Sequence, residues 1–142
     1  MDGRCLCGAV RIILERHDPR LSVCHCDACR RWGGGPSVGL AAPADAVAVT
    51  GPARARASSP VGERAWCDLC GTQLWFRGLG PGGPHPFELS PGLFDRDGGW
   101  TLAREVYADR RNRALRLEGD HGRVSRAAHR ADHPHAGEEV GA

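Results

Sequence analysis

A mainly β, single-domain fold is expected from three features of the sequence. Glycine and proline are abundant, with 20 and 10 copies among 142 residues, which favours short strands joined by turns over long helices. The apolar runs are short and rich in β-branched residues, Ala9-Val10-Arg11-Ile12-Ile13-Leu14 being the clearest. Seven cysteines fall into three tight groups, Cys5/Cys7, Cys24/Cys26/Cys29 and Cys67/Cys70, and thiols spaced this closely are hard to explain without a metal.

The length suits one domain with a modest core. Formal net charge is +2, and seven thiolates holding two Zn²⁺ would bring it to about −1, so no polyanion-binding surface and no nucleic-acid partner are expected. Every basic side chain is arginine; without lysine there is no ε-amino Schiff base for a carbonyl substrate, whereas carboxylates can still be held bidentately. The chain runs from Met1 into motif residues without an apolar signal segment, and no stretch approaches the roughly 20 apolar residues of a membrane span. A soluble, cytoplasmic protein is expected. In a reducing compartment paired cysteines favour metal ligation over disulfides, and an odd count fits full disulfide pairing poorly.

In chain order, Cys5-Leu6-Cys7-Gly8 is a tight turn leading into the strand Ala9 to Leu14, and His17-Asp18-Pro19-Arg20 is a turn that delivers the chain to Val23. After Cys29, Arg30-Arg31-Trp32 gives way to the loop Gly33-Gly34-Gly35-Pro36. Ser37 to Ala42 and Val47 to Thr50 read as a hairpin around Pro43-Ala44-Asp45, and Ala53 to Pro60 as a small polar segment. Cys67-Asp68-Leu69-Cys70-Gly71 has the shape of a zinc knuckle, whose backbone amides can donate to the sulfurs. Leu74-Trp75-Phe76 returns as a strand, and Gly78 to Pro86 is a loop over one face. Phe87 to Ser90 is another strand, Pro91 to Gly99 an exposed turn, and Trp100 to Tyr107 a strand with helix as the alternative. The domain is drawn over residues 1–118. From about Gly119 the chain is polar, alanine-rich and dotted with histidine, so residues 119–142 are expected to be a disordered tail.

A structural Zn²⁺ is closed by four protein ligands, while a catalytic one keeps three and an open position. Seven thiols divide most simply into Cys5, Cys7, Cys67 and Cys70 around a closed site, with Cys24, Cys26 and Cys29 around an open one. Three other divisions stand beside it. Cys26/Cys29 and Cys67/Cys70 could form a zinc ribbon, leaving Cys5, Cys7 and Cys24 incidental. His25 or a distant histidine could close the central site, although His25, as the neighbour of two ligands, is expected to support the sulfurs instead. Cys26/Cys29 could be a redox dithiol, though the βαβ setting of such motifs is missing.

The order Gly3-x-Cys5-x-Cys7-Gly8-x-Val10, then Cys24-His25-Cys26-x-x-Cys29, then Cys67-x-x-Cys70-Gly71-Thr72-x-Leu74, resembles the glutathione-dependent formaldehyde-activating enzyme family, also called the centromere protein V type domain. Gly92-Leu93-Phe94-Asp95 is similar to the family's glycine-leucine-aspartate turn, with Phe94 as an extra aromatic, and the likeness runs from about Gly3 to Tyr107. The resemblance implies a complex coiled β-sheet fold and two zinc ions. It implies a structural zinc on Cys5, Cys7, Cys67 and Cys70, and an active-site zinc on Cys24, Cys26 and Cys29. It also implies a carbon–sulfur lyase that forms or cleaves a thiol–aldehyde adduct such as S-(hydroxymethyl)glutathione, with a small thiol and a small aldehyde as partners.

Three thiolates around Zn²⁺ leave it a weaker acid than three neutral histidines would, which favours a soft thiol over water as its fourth ligand. Arg4, Arg30 and Arg31 lie beside the motifs and are candidates for holding a substrate's carboxylates, with solvated surface positions as the alternative. Trp32 and Trp66 flank the cysteine groups as pocket or core residues. His25 and Asp27 are the candidate bases near the cluster. The tail histidines His121, His129, His133 and His135 have no fixed geometry in a disordered segment. The competing class is a zinc module that binds glutathione or a protein partner without catalysis.

Overall fold

In a computed structural model, residues 1–82, 84–96 and 99–134 are described. Gly83 of the glycine-proline loop, Asp97 and Gly98 of the exposed turn, and residues 135–142 with His135 lie outside them. The chain forms β1 (Asp2–Arg4), β2 (Arg11–Leu14), β3 (Arg20–Cys24), helix α1 (Asp27–Gly33), β4 (Ser37–Ala42), β5 (Val47–Thr50) and β6 (Ala53–Ser59). It continues through β7 (Gly62–Cys67), β8 (Gln73–Gly78), β9 (Phe87–Leu89), β10 (Thr101–Val106), β11 (Gly122–Val124) and helix α2 (Arg126–Asp132). The mainly β expectation holds. Among the described residues no helix is long and apolar enough to cross a membrane.

Two sheets carry the fold. The smaller has the order β1-β2-β5, and the larger β11-β10-β3-β4-β9-β8-β7-β6. Pairing is antiparallel except at β10, which runs parallel to both β3 and β11. Strand β2 alternates as its pattern predicts: Ile12 and Leu14 are buried while Arg11 and Ile13 face outward. Ile12 and Leu14 join Val10, Leu40, Leu74 and Leu89 in one core between the sheets. Each such side chain contributes roughly 1.5–3 kcal/mol on full burial. A single bridge, Gly3 to Phe94, ties β1 to the turn after β9, and a Cβ on Gly3 would come within 2.8 Å of the Phe94 ring.

Two local expectations are corrected, and a short helix appears that the sequence reading lacks. Ser37–Ala42 and Val47–Thr50 are strands but not a hairpin: a 3-10 turn over Ala44–Ala46 sends β4 to the large sheet, beside β3 and β9, and β5 to the small one, beside β2. Ala53 to Ser59 is a strand, its exposed arginines alternating with alanines against β7. The segment after Cys26 is a helix, because the Cys26 sulfur caps it by accepting from the Cys29 amide and Gly34 ends it.

The stretch from Gly119, expected to be disordered, carries β11 and α2 across its described residues. β11 pairs with β10, Glu105 facing Arg123 and Val106 facing Val124. The Ser125 hydroxyl caps α2 by accepting from the Ala128 amide, and Asp109 accepts from the Arg126 amide. Composition reported the segment's polarity correctly but could not report these tertiary partners.

Candidate metal centres

The first cysteine group is built by two matching turns. Cys5 and Cys7 lie between β1 and β2, where the Gly8 amide donates to the Cys5 carbonyl and the Val10 amide to the Cys5 sulfur at 3.2 Å. Cys67 ends β7 and Cys70 lies in the turn to β8, where the Gly71 amide donates to the Cys67 carbonyl. Gly8 and Gly71 both sit at positive φ, 78° and 74°, the left-handed step that lets the chain leave a thiol pair without a Cβ clash. Thr72 links the turns: its hydroxyl accepts from the Leu6 amide and lies 3.1 Å from the Cys70 sulfur.

Geometry brings all four of these thiols within 4.8 Å of one another. Cys5 and Cys7 sulfurs are 3.5 Å apart, and Cys7 and Cys67 sulfurs 3.8 Å. Four thiolates at tetrahedral zinc distance, about 2.3 Å each, are about 3.8 Å apart, so the set fits such an ion. The thiols share too little room to ionise independently. Cys70 is lowered to about 5 by the Thr72 hydroxyl and amide, whereas Cys7 is pushed up to about 12, the neighbouring Cys5 and Cys70 outweighing the Ala9 amide that lowers it. Bound metal replaces the protons that this crowding traps.

The second group gathers at the junction of β3 and α1. Cys24 ends β3, opposite Val106 of β10 on one side and Ser37 of β4 on the other. The His25 amide donates to the Val106 carbonyl, and Cys26 begins the helix that carries Cys29. The sulfurs of Cys24, Cys26 and Cys29 also lie within 4.8 Å of one another. Among the described residues no fourth histidine, cysteine or carboxylate completes this set. The thiols of Cys24 and Cys29 hold Cys26 down at about 3 against its burial, while the Cys24 thiol is itself pushed well above its usual range by Cys26 and Cys29. A trio of soft sulfurs with one thiolate already favoured suits zinc.

The seven thiols therefore divide as four and three, and the zinc-ribbon pairing is not what the chain forms. His25 is not part of either set. Its ring is buried, and Nε2 lies 2.7 Å from Oε2 of Glu105, which is equally buried. The other oxygen of Glu105 meets His121 Nε2, with Arg123 Nε 3.4 Å away. Burial raises the Glu105 carboxyl, but the hydrogen bonds from His121 and His25 outweigh it and hold it below the usual range. Beside this trio Tyr107, fully buried and at φ 55°, packs with Val106 against Cys26, and its ring lies 5.4 Å from that of His129 on α2. Two of the tail histidines thus have fixed places near the three-cysteine cluster.

The other candidates fall out differently. Arg4 pairs with Asp95 at the surface, Arg30 pairs with Asp27, and Arg31 is exposed. Asp27, bonded to Arg30 and also to Arg110, is held below the usual carboxylate range. Trp66 is half-buried on β7. Trp32 lies under the guanidinium of Arg64, a residue that sequence reading missed. Glu105 and Tyr107 were missed as well, and His121 was named only as a tail histidine without fixed geometry. A glutamate inside a strand reads as a solvent-facing residue, and its partners lie far away in sequence. The open hollow between Arg16–Arg20, Ala41–Asp45, Pro84 and Pro86 contains no cysteine.

A family model described as glutathione-dependent formaldehyde-activating enzyme matches residues 1–110. An uncharacterised lyase of Schizosaccharomyces pombe is 33% identical over 109 residues, covering 76% of this chain and 78% of that one. A Halomonas elongata protein, provisionally named a glutathione-dependent formaldehyde-activating enzyme, is 34% identical over 98 residues, 61% of this chain and 62% of its own length. The crystal structure of a Rhodobacter sphaeroides protein superposes with a TM-score of 0.56 at 21% identity, covering 67% of this chain and 88% of that one, a likeness of fold.

Proposed function

We propose that this chain, which belongs to the glutathione-dependent formaldehyde-activating enzyme family, is a two-zinc carbon–sulfur lyase. In this reading it joins a small thiol such as glutathione to a small aldehyde such as formaldehyde, or cleaves the adduct. Cys5, Cys7, Cys67 and Cys70 hold the structural ion, and Cys24, Cys26 and Cys29 hold the ion at the reacting centre. The observation that carries the reading is the inequality of the two clusters among the described residues: one is complete with four sulfurs, the other stops at three. The names of the relatives, a lyase and a formaldehyde-activating enzyme, support the same class of chemistry.

Zinc held by Cys24, Cys26 and Cys29 would stabilise a thiolate near neutral pH and polarise a carbonyl oxygen. The protein's own part is to fix three sulfurs at one point. Cys24 is set by the β3 ladder on both sides, and Cys26 and Cys29 by the first turn of α1. In the overall reaction a C–S bond forms at the carbonyl carbon and the thiol proton ends on the carbinol oxygen; cleavage reverses both changes. Both sequence-predicted bases are already partnered. His25 Nε2 is committed to Glu105, and Asp27 is a weak base between Arg30 and Arg110.

That commitment favours a second reading, a zinc module that captures the thiol without accelerating its reaction. Exchange spectroscopy on glutathione with formaldehyde separates the two. The enzyme reading expects adduct interconversion to quicken in proportion to zinc-loaded protein, and no acceleration at two zinc per chain would leave the binding module.

A further inference from the structure

We infer that Arg64 is the counter-charge of the three-cysteine centre, the positioning residue that lets three thiolates and a bound thiolate share one divalent ion. The inference deepens the reading of Cys24, Cys26 and Cys29 as metal ligands and rests on it.

Arg64 lies on β7 with only 8% of its surface exposed. Burying a guanidinium is costly unless an opposite charge faces it. No carboxylate among the described residues forms an ion pair with it. Its strand neighbours do not help: directly opposite stand the exposed Arg56 on β6 and Phe76 on β8. The adjacent Glu63 instead accepts from the Trp75 indole. Of the guanidinium's own donors, Nη1 reaches the Ser58 hydroxyl at 2.6 Å, and Nε is buried with no partner.

What surrounds the cation fixes where it acts. Its Cζ lies over two aromatic rings, 5.5 Å from the centre of Trp32 and 5.1 Å from that of Phe76. The Phe76 ring occupies the space a Cβ on Gly62 would need, so the strand is open at that point to let the ring lie beside Arg64. Trp32 belongs to α1, three residues after Cys29, and residues at that spacing share one helix face. Gln73 Nε2 donates to the Trp32 carbonyl and docks the same helix on β8. The cation therefore sits against the helix that carries Cys29, on the side of Trp32.

The missing negative charge is then the cluster itself. Three thiolates on a divalent ion carry a net charge of −1, and a thiolate substrate makes it −2. A rigidly held arginine that is never deprotonated offsets part of that charge in a partly dry site. The two aromatic rings hold it there without placing a carboxylate nearby that would cancel it.

The test compares R64M, which keeps bulk beside the two rings but no charge, with R64K, which keeps the charge. Zinc-loaded protein is titrated with a chromogenic chelator, and the ion lost from wild type but already missing in C26A is assigned to the three-cysteine site. R64M is expected to hold that ion about 10–100-fold more weakly, R64K to recover most of the loss, and the four-cysteine ion to be unaffected in both. Wild-type affinity in R64M, or equal loss in R64M and R64K, overturns the inference, the second by showing that shape rather than charge matters. Should R64M shed both ions through misfolding, R64Q, which keeps an N–H for Ser58, replaces it in the same comparison. A wild-type protein that binds only one zinc would instead defeat the ligand reading itself, an outcome visible before any Arg64 variant is made.

Discussion

Glu105 and His25, eighty residues apart, meet in the interior with 2.7 Å between carboxylate oxygen and ring nitrogen, each side chain 2% exposed. The contact braces the turn between two cluster cysteines against β10, and the second oxygen of Glu105 extends the brace to His121. The three-cysteine centre is thus held from behind by a buried polar trio as well as by the backbone ladder between Cys24 and Val106.

Glu105→Gln is expected to cost about 2 kcal/mol, because it leaves buried imidazole nitrogens without their carboxylate. The pH dependence has a definite sign. The folded carboxyl sits below its ordinary value of about 4.3. Its stabilisation is therefore fully present above that value and is lost as pH falls through the lower, folded one. Urea unfolding of wild type and variant should differ from neutral pH down to about 5 and converge in stronger acid. A gap that widens on acidification would contradict the assignment.

His121→Ala should loosen the C-terminal segment more than the body of the domain. The expected loss is about 1 kcal/mol, read as faster cleavage between residues 119 and 134 in limited proteolysis. The four-cysteine site, remote from this contact, should keep its metal. Unchanged cleavage would show that β11 and α2 are held by other contacts.

Gly71 of the second knuckle and Gly51, just after β5, predict a graded series. At Gly71 an added Cβ would meet nothing within 4 Å, so Gly71→Ala costs only the left-handed backbone, about 1–2 kcal/mol. At Gly51 the same Cβ would lie 2.0 Å from the Ala9 carbonyl oxygen, a backbone atom that cannot step aside. Gly51→Ala should therefore be clearly the more damaging in thermal unfolding, and equal losses would count against the close approach of β5 to the first knuckle.

Much of this site was legible because its chemistry is local. Cys5/Cys7 and Cys67/Cys70 announce themselves by spacing and by the glycine that follows each pair, and the triplet at Cys24, Cys26 and Cys29 by its density. Strands β2, β8, β9 and β10 follow from their apolar patterns. What escaped was decided elsewhere in the chain. Val47–Thr50 looks like the natural partner of Ser37–Ala42, yet it pairs with β2 because the 3-10 turn between them redirects it. Ala53–Ser59 buries so little that its alternation passed for a polar segment. Arg64 and Glu105 are charged residues on strands, ordinarily solvent-facing, and only the packed neighbours Trp32, Phe76, His25 and His121 give them interior roles.

The most direct measurement of the central claim is zinc stoichiometry by native mass spectrometry on wild type, C26A and C67A, with circular dichroism on the same samples. A closed four-sulfur site and an open three-sulfur site predict two zinc in wild type and one in folded C26A. In C67A the fold should be lost along with the structural ion. Loss of the fold in C26A, or two ions retained by it, would contradict the division of the seven thiols on which the functional reading stands.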